Sequence, residues 1–268
     1  MLFWSWLIAC NKPAEDTGFS IILDTQETGL LVEETGSIDS AMEPSSEDSD
    51  IELTLEGDWE DVFGDFHSIT QESWTNPTGV FHIVNFDNEG GWLIALNDDA
   101  NSFNAGKYSK FEWLEDNQGQ SFFCQSVFEA LTEEEASVIS ADRSNLETGC
   151  REMGWKRYRP AMPLRGSYID SSSLPHTINA FRWSWGAYIY HIVEFPYQEQ
   201  LVITRNDQSN PTGSSQWSQL AWVEDNGVIW VCNAGVAEDI ESARGFSPDR
   251  SNVVSGCNGE GWSQLLSQ

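Results

Sequence analysis

The chain carries one sequence pattern twice. The segment HSITQESW at 67–74 returns as HTINAFRW at 176–183, and FHIVNF at 81–86 returns as YHIVEF at 190–195. WLEDN at 113–117 matches WVEDN at 222–226, and DRSN at 142–145 recurs unchanged at 249–252. Gly149, Cys150, Gly154 and Trp155 close the first copy as Gly256, Cys257, Gly261 and Trp262 close the second. The spacing between matched segments barely drifts, so short indels explain it and two unit-length copies of one domain follow. The chain then divides into a signal segment at 1–9, Cys10 with an acidic linker over 10–50, a first domain over 51–158, a joining segment at 159–162 and a second domain over 163–268. Positions shared by the copies are most simply explained by packing, turns and crosslinks. Function can sit among them or among the positions that differ.

Of the five cysteines, Cys10 stands alone and the other four fall as one equivalent pair per copy. If each copy folds by itself, Cys124 bonds Cys150 and Cys232 bonds Cys257, each closing a loop whose chain entropy is worth roughly 3 to 4 kcal/mol. Such bonds persist outside the reducing cytosol. A zinc site would need CxxC pairs or a tight Cys/His cluster, and neither copy has one.

Cys10 ends the segment MLFWSWLIAC, whose Leu7, Ile8, Ala9 and Cys10 resemble the lipobox of bacterial lipoproteins. That resemblance implies cleavage before Cys10 and acylation of its thiol, so that the chain is held to a membrane by lipid rather than by a span. Asn11, where such proteins carry aspartate for inner-membrane retention, implies the outer membrane, on its periplasmic side or at the cell surface. The alternative is a plain secretory segment that leaves an unpaired thiol. Residues 11–50 are acidic, with Lys12 the lone base and Phe19 the lone aromatic. Such a composition cannot bury enough apolar surface to fold and is read as a disordered tether.

Within each copy, apolar residues come in short runs bounded by Gly, Asn, Asp and Pro, rich in β-branched and aromatic side chains, which is the pattern of strands. In the first copy strands are expected near 52–59, 66–74, 80–86, 92–97, 108–115 and 121–128. One helix per copy is expected, capped by Thr132 with Glu135 completing a capping box and running to about Ser140, with its counterpart near 237–244. The fold class is therefore mainly β: two tandem homologous antiparallel domains, each a small barrel or a sandwich with one short helix and one disulfide. Gly57 with Trp59, and Gly166 with Tyr168, resemble the GxW start of lipocalin and avidin barrels, which implies closure by about eight strands around a ligand pocket.

The four histidines, His67 and His82 with His176 and His191, all lie in the copies. With 66–74 taken as one strand, His67 falls about 20 Å from His82, too far to share a metal. His82 and His191 share a strand face with Val84 and Phe86, or Val193 and Phe195, and are read as hydrogen-bonded core histidines. Asn97, Asp98, Asp99 and Asn101 correspond to Asn206, Asp207, Gln208 and Asn210. Oxygen ligands at alternate positions can hold Ca²⁺. These runs lack the glycine and distal glutamate of an EF-hand loop, and the same residues build turns. No metal or other cofactor is expected.

The chain has 13 tryptophans, and most fall at matched aromatic positions that packing explains. Trp92 and Trp185 have no aromatic counterpart and are the candidates for an exposed platform. Flat rings beside Asn97, Asp98, Asn206 and Asp207 suit a sugar, by stacking and by hydrogen bonds to hydroxyls. The net charge of −30 argues against a nucleic-acid partner. Arg151, Lys156, Arg157, Arg159 and Arg165 gather around the joining segment, to pair with acidic neighbours or to meet an anionic polymer. Asp142-Arg143 and Asp249-Arg250 are read as structural elements beside the disulfides. No GxSxG, HExxH, phosphate loop or Cys/His nucleophile pattern is present. The expected function is non-catalytic binding of a surface partner or envelope polysaccharide; the alternatives are a structural envelope lipoprotein or a hydrolase using scattered carboxylates.

Overall fold

The computed structural model describes residues 52–267, so the expectations for the signal segment, for Cys10 and for the acidic linker concern residues outside that range. The first copy contains β1 (Gly57–Asp61), β2 (Phe66–Ile69), β3 (Ser73–Asn76), β4 (Gly79–Asp87), β5 (Trp92–Asn97), β6 (Tyr108–Glu115), β7 (Ser121–Ala130) and β8 (Lys156–Pro160). Each strand pairs antiparallel with the next, and β1 pairs with β8, so the sheet closes on itself. The second copy repeats this with β9 (Gly166–Asp170), β10 (Pro175–Ile178), β11 (Arg182–Trp185), β12 (Tyr188–Glu194), β13 (Leu201–Asn206), β14 (Trp217–Asp225), β15 (Val228–Ala237) and β16 (Ser263–Ser267). Here β16 closes against β9. Of the two architectures that the sequence allowed, both copies are barrels.

Two features raise the strand count above the sequence expectation. The run 66–74 is not one strand, because the chain reverses at 70–73. Thr70 Oγ1 accepts from the N–H groups of Glu72 and Ser73 at 3.2 and 3.0 Å, and Asn179 Oδ1 accepts from Phe181 and Arg182 at 2.9 and 2.7 Å. A polar side chain that satisfies the turn's own amides replaces ladder bonds with a tight reversal. His67 therefore lies beside Trp74 rather than at the far end of a long strand. The second feature is a strand after the disulfide loop; β8 runs to Pro160, into the segment read as a linker.

Each barrel encloses an apolar core. Ile69, Trp74, Phe81, Leu93, Phe111, Phe123 and Tyr158 form the first core, and Ile178, Trp183, Tyr190, Ile192, Val202, Leu220, Trp222, Val231 and Leu265 the second. Trp74 stacks on Phe111 with centroids 4.4 Å apart. The segments preceding β1 and β9 plug one end, with Leu53 and Leu55 in the first lumen and Met162 and Leu164 in the second.

His82 and His191 are not core residues. A bulge between Ile83 and Asn85, repeated between Ile192 and Glu194, inserts one residue into β4 and β12 and shifts the side-chain alternation. Phe81, Ile83 and Phe86 point inward, while His82 and Val84 face solvent. His82 Nε2 lies 2.7 Å from Asp98 Oδ2, and His191 Nε2 lies 2.8 Å from Asp207 Oδ2.

The helices are α1 (Glu133–Ser137) and α2 (Ile240–Arg244), shorter than expected. Thr132 Oγ1 accepts from Glu135 N–H, and the Glu135 carboxylate accepts from Leu131 N–H at 2.8 Å. Both expected disulfides are present, Cys124 to Cys150 and Cys232 to Cys257. Each joins the seventh strand of its barrel to the following loop. Arg143 Nη2 fixes that loop by donating to the carbonyls of Gly91 and Trp113, and Arg250 reaches the carbonyls of Glu199 and Gln200 in the same way.

Candidate functional site

Opposite the plugged end, each lumen contains a line of aspartate, histidine and tryptophan. Trp74 Nε1–H donates to His67 Nδ1 at 3.0 Å, and Trp183 Nε1–H donates to His176 Nδ1 at 3.1 Å. An indole nitrogen only donates, so Nδ1 must be bare and a neutral imidazole carries its proton on Nε2. That nitrogen faces Asp61 Oδ2 at 3.7 Å in the first barrel and Asp170 Oδ2 at 3.4 Å in the second. The other carboxylate oxygen of each aspartate accepts two backbone N–H groups, from Phe63 and Asp65 in one barrel and from Ser172 and Leu174 in the other. Burial pushes the Asp61 and Asp170 carboxyls up, but these hydrogen bonds and the histidine outweigh it and hold both below the ordinary value. Burial pushes His176 down from its ordinary 6.5.

A cavity opens at this end of each barrel, and the two cavities use four equivalent positions with different side chains. Asp65, Asn76, Gln125 and Phe128 line the first, of about 250 Å³; Leu174, Trp185, Asn233 and Val236 stand there in the second, of about 280 Å³. Tyr188, Tyr190, Asn206 and Thr212 complete the second cavity. Its rings are held by contacts within the barrel. Trp185 lies against His176, with centroids 4.7 Å apart, and its Nε1–H donates to Asp170 Oδ2 at 3.0 Å. Tyr188 and Tyr190 are nearly parallel, at 13°. Tyr190 Oη accepts from Asn233 Nδ2 at 3.3 Å, and burial pushes the phenol up to about 12, so it stays protonated. Asn206 Oδ1 is buried with no hydrogen-bond partner among the described residues.

Trp185 and Asn206 thus fall in one cavity, whereas the other sequence candidates do not join them. Trp92 lies outside the first barrel, half-buried beneath α1 with Ile94, Val127, Ala130 and Ala136. Asn97 is buried in the first barrel, donating to the carbonyls of Asn104 and Phe128 and accepting from Ser109 Oγ at 2.7 Å. Asp98 and Asp207 hold their own loops. The Ser209 hydroxyl, and then His191, keep Asp207 well below the usual carboxylate range. Sequence reasoning missed Asp61 and Asp170, Tyr188 and Tyr190, and the inward placement of His67 and His176. The aspartates carried a signal, since a charged residue shared by both copies within a strand demands a partner.

Part of the basic cluster, Arg159 and Arg165, joins the barrels. Glu60 is fully buried; it meets Arg165 Nε at 2.7 Å and accepts from the N–H groups of Met162 and Ala180. Arg159 donates to the carbonyls of Ile192 and Val193 at 2.9 and 3.2 Å and lies over Phe181, and burial lowers it to about 10. Lys156 Nζ sits 3.9 Å from Asp61 Oδ2, and Arg151 lies over Phe128. No protein-family model matches the chain, and neither curated proteins nor solved structures provide a match.

Proposed function

We propose that this chain is a non-catalytic binding protein of the bacterial envelope, lipid-anchored through Cys10, whose second barrel takes a sugar ring of an envelope polysaccharide at its open end. The single observation that carries the reading is the cavity bounded by Trp185, Tyr188 and Tyr190, with Asn206, Asn233 and Thr212 in its wall. Aromatic faces accept the apolar C–H face of a pyranose, and the polar side chains in the wall, Asn206, Asn233 and Thr212, offer partners for hydroxyls. At about 280 Å³ the cavity is at the lower end of ligand sites, which suits one sugar residue at a chain end rather than a long oligosaccharide. The lipid anchor is supported by Leu7, Ile8, Ala9 and Cys10.

The test is calorimetry of the full chain against peptidoglycan fragments and envelope glycans. Saturable binding that Tyr188→Ala and Asn206→Ala each weaken at least about fivefold supports the site, since loss of a buried polar partner costs about 1–3 kcal/mol. Binding indifferent to both substitutions, or none to any glycan, overturns it and favours a structural role. Turnover of a glycan would instead favour the hydrolase. Labelled fatty acid that incorporates into the wild type but not into Cys10→Ser would support the anchor.

A further inference from the structure

The two barrels solve the same electrostatic problem differently. In the second, Asp170 Oδ2 receives the indole N–H of Trp185, and that ring covers His176. In the first, the equivalent position is Asn76, whose Oδ1 turns away to accept from Thr78 N–H and Oγ1–H at 2.8 and 2.6 Å. Asp61 Oδ2 and His67 Nε2 then have no hydrogen-bond partner among the described residues, although Asp61 is fully buried and His67 only 3% exposed. Lys156 Nζ, at 3.9 Å, is beyond hydrogen-bonding reach of Asp61 Oδ2 and lies over Phe63 and Phe123. Of this pair, His67 lines the cavity of about 250 Å³, together with Asn76, Phe123, Gln125, Phe128, Met153 and Lys156, while Asp61 is not in its wall.

We infer that the first barrel binds a flat heteroaromatic ring carrying an N–H donor, seated where Trp185 sits in the second barrel and donating to Asp61 Oδ2. The second barrel supplies the ring from its own chain; the first leaves a space beside His67, and the Lys156 side chain that lines it moves aside for a ring N–H to reach Asp61 Oδ2. A buried carboxylate oxygen without a donor is costly, and a ring N–H satisfies it while the ring covers His67 and meets Phe123. Asp65 in place of Leu174 adds a second acceptor at the rim, which suits a ring with more than one N–H. This site is independent of the sugar site, because it uses a different barrel and different side chains.

The test is isothermal titration of the full chain with indole, with 1-methylindole as the probe lacking the donor. Saturable binding of about one indole per chain is expected, with 1-methylindole at least tenfold weaker. Asn76→Trp should abolish binding by filling the site from within, and should raise the midpoint of thermal unfolding by giving Asp61 its donor. Asp61→Asn keeps the shape and the acceptor for Phe63 and Asp65 but puts an amide where the free oxygen was, so it should weaken indole at least tenfold; it decides the matter if Asn76→Trp does not fold. Equal binding of the two probes, unchanged affinity in Asp61→Asn, or no saturation by indole overturns the inference. None of these variants should alter glycan binding, so the two proposals fail separately.

Discussion

The two barrels share a frame and differ at their open ends. Both keep the aspartate, histidine and tryptophan line, the bulge in the fourth strand, the arginine that ties down the disulfide loop, and the plug of two apolar residues. At the open end the first barrel presents Asp65, Asn76 and Gln125, and the second Leu174, Trp185 and Asn233. A second difference lies beneath the helices. Lys110 is buried under α1, donating to the carbonyls of Ser137 and Ile139, with burial holding its ammonium below the ordinary value; Gln219 occupies that place under α2. The lesson is that the residues kept in both copies build the frame, while the side chains that line the two open ends are among those that changed.

The comparison is most easily broken at the shared core. Trp74 and Trp183 are both fully buried and hold equivalent bonds, so Trp74→Ala and Trp183→Ala should each destabilise their own barrel by about 3–5 kcal/mol. Denaturant unfolding, with hydrogen exchange to separate the barrels, reads this; a cost confined to one barrel would show that the frames are not equivalent. The disulfides come next. Their sequence separations are 26 and 25 residues, for which chain entropy gives roughly 3.5 kcal/mol each, and removing either pair of cysteines should lower stability by similar amounts.

A smaller effect sharpens the difference between the open ends. Trp185→Asn takes the indole donor from Asp170 Oδ2 and should cost about 1–3 kcal/mol for the stranded acceptor, besides the lost packing. It should also raise indole binding from about one to about two per chain; a stoichiometry that stays at one would mean the first cavity owes its affinity to something other than the missing ring. The mildest effect is with pH. His176 and Asp170 both titrate below their ordinary values in the folded chain, so the unfolded chain binds more protons and acid destabilises the second barrel. The loss should begin as pH falls below about 6.5 through His176, and resume below about 3.8 through Asp170. Thermal unfolding across this range should show both steps, and His176→Gln should remove the first.

Much of the frame was legible from the repeat. Two domains, their strand-rich character, one disulfide and one short helper helix apiece follow from matched cysteines, alternating apolar runs and the Thr132 cap. The split of 66–74 into β2 and β3 was hidden because HSITQESW keeps an apolar residue on either side of a polar reversal. Nothing in local composition separates four residues that turn from four that extend when the turn is made by one threonine hydroxyl. The bulges were hidden for the same reason: one inserted residue, Val84 or Val193, is itself a good strand former. Trp185 was singled out by its lack of an aromatic partner, and that reasoning found a cavity wall. Applied to Trp92 it found a ring covered by a helix, since lack of a counterpart says that a position changed and not where it lies.

By itself the sequence determined that one β domain is built twice and how its cysteines pair, because duplication and periodicity are properties of the chain read along its length. Only the tertiary structure decided that the sheets close into barrels, that His67 and His176 lie inside while His82 and His191 lie outside, and that Asn76 leaves a carboxylate without the donor that Trp185 supplies. Closure and burial depend on register, and register on which strands meet. A hydrogen bond between residues on different strands is set by that meeting and not by any spacing along the chain.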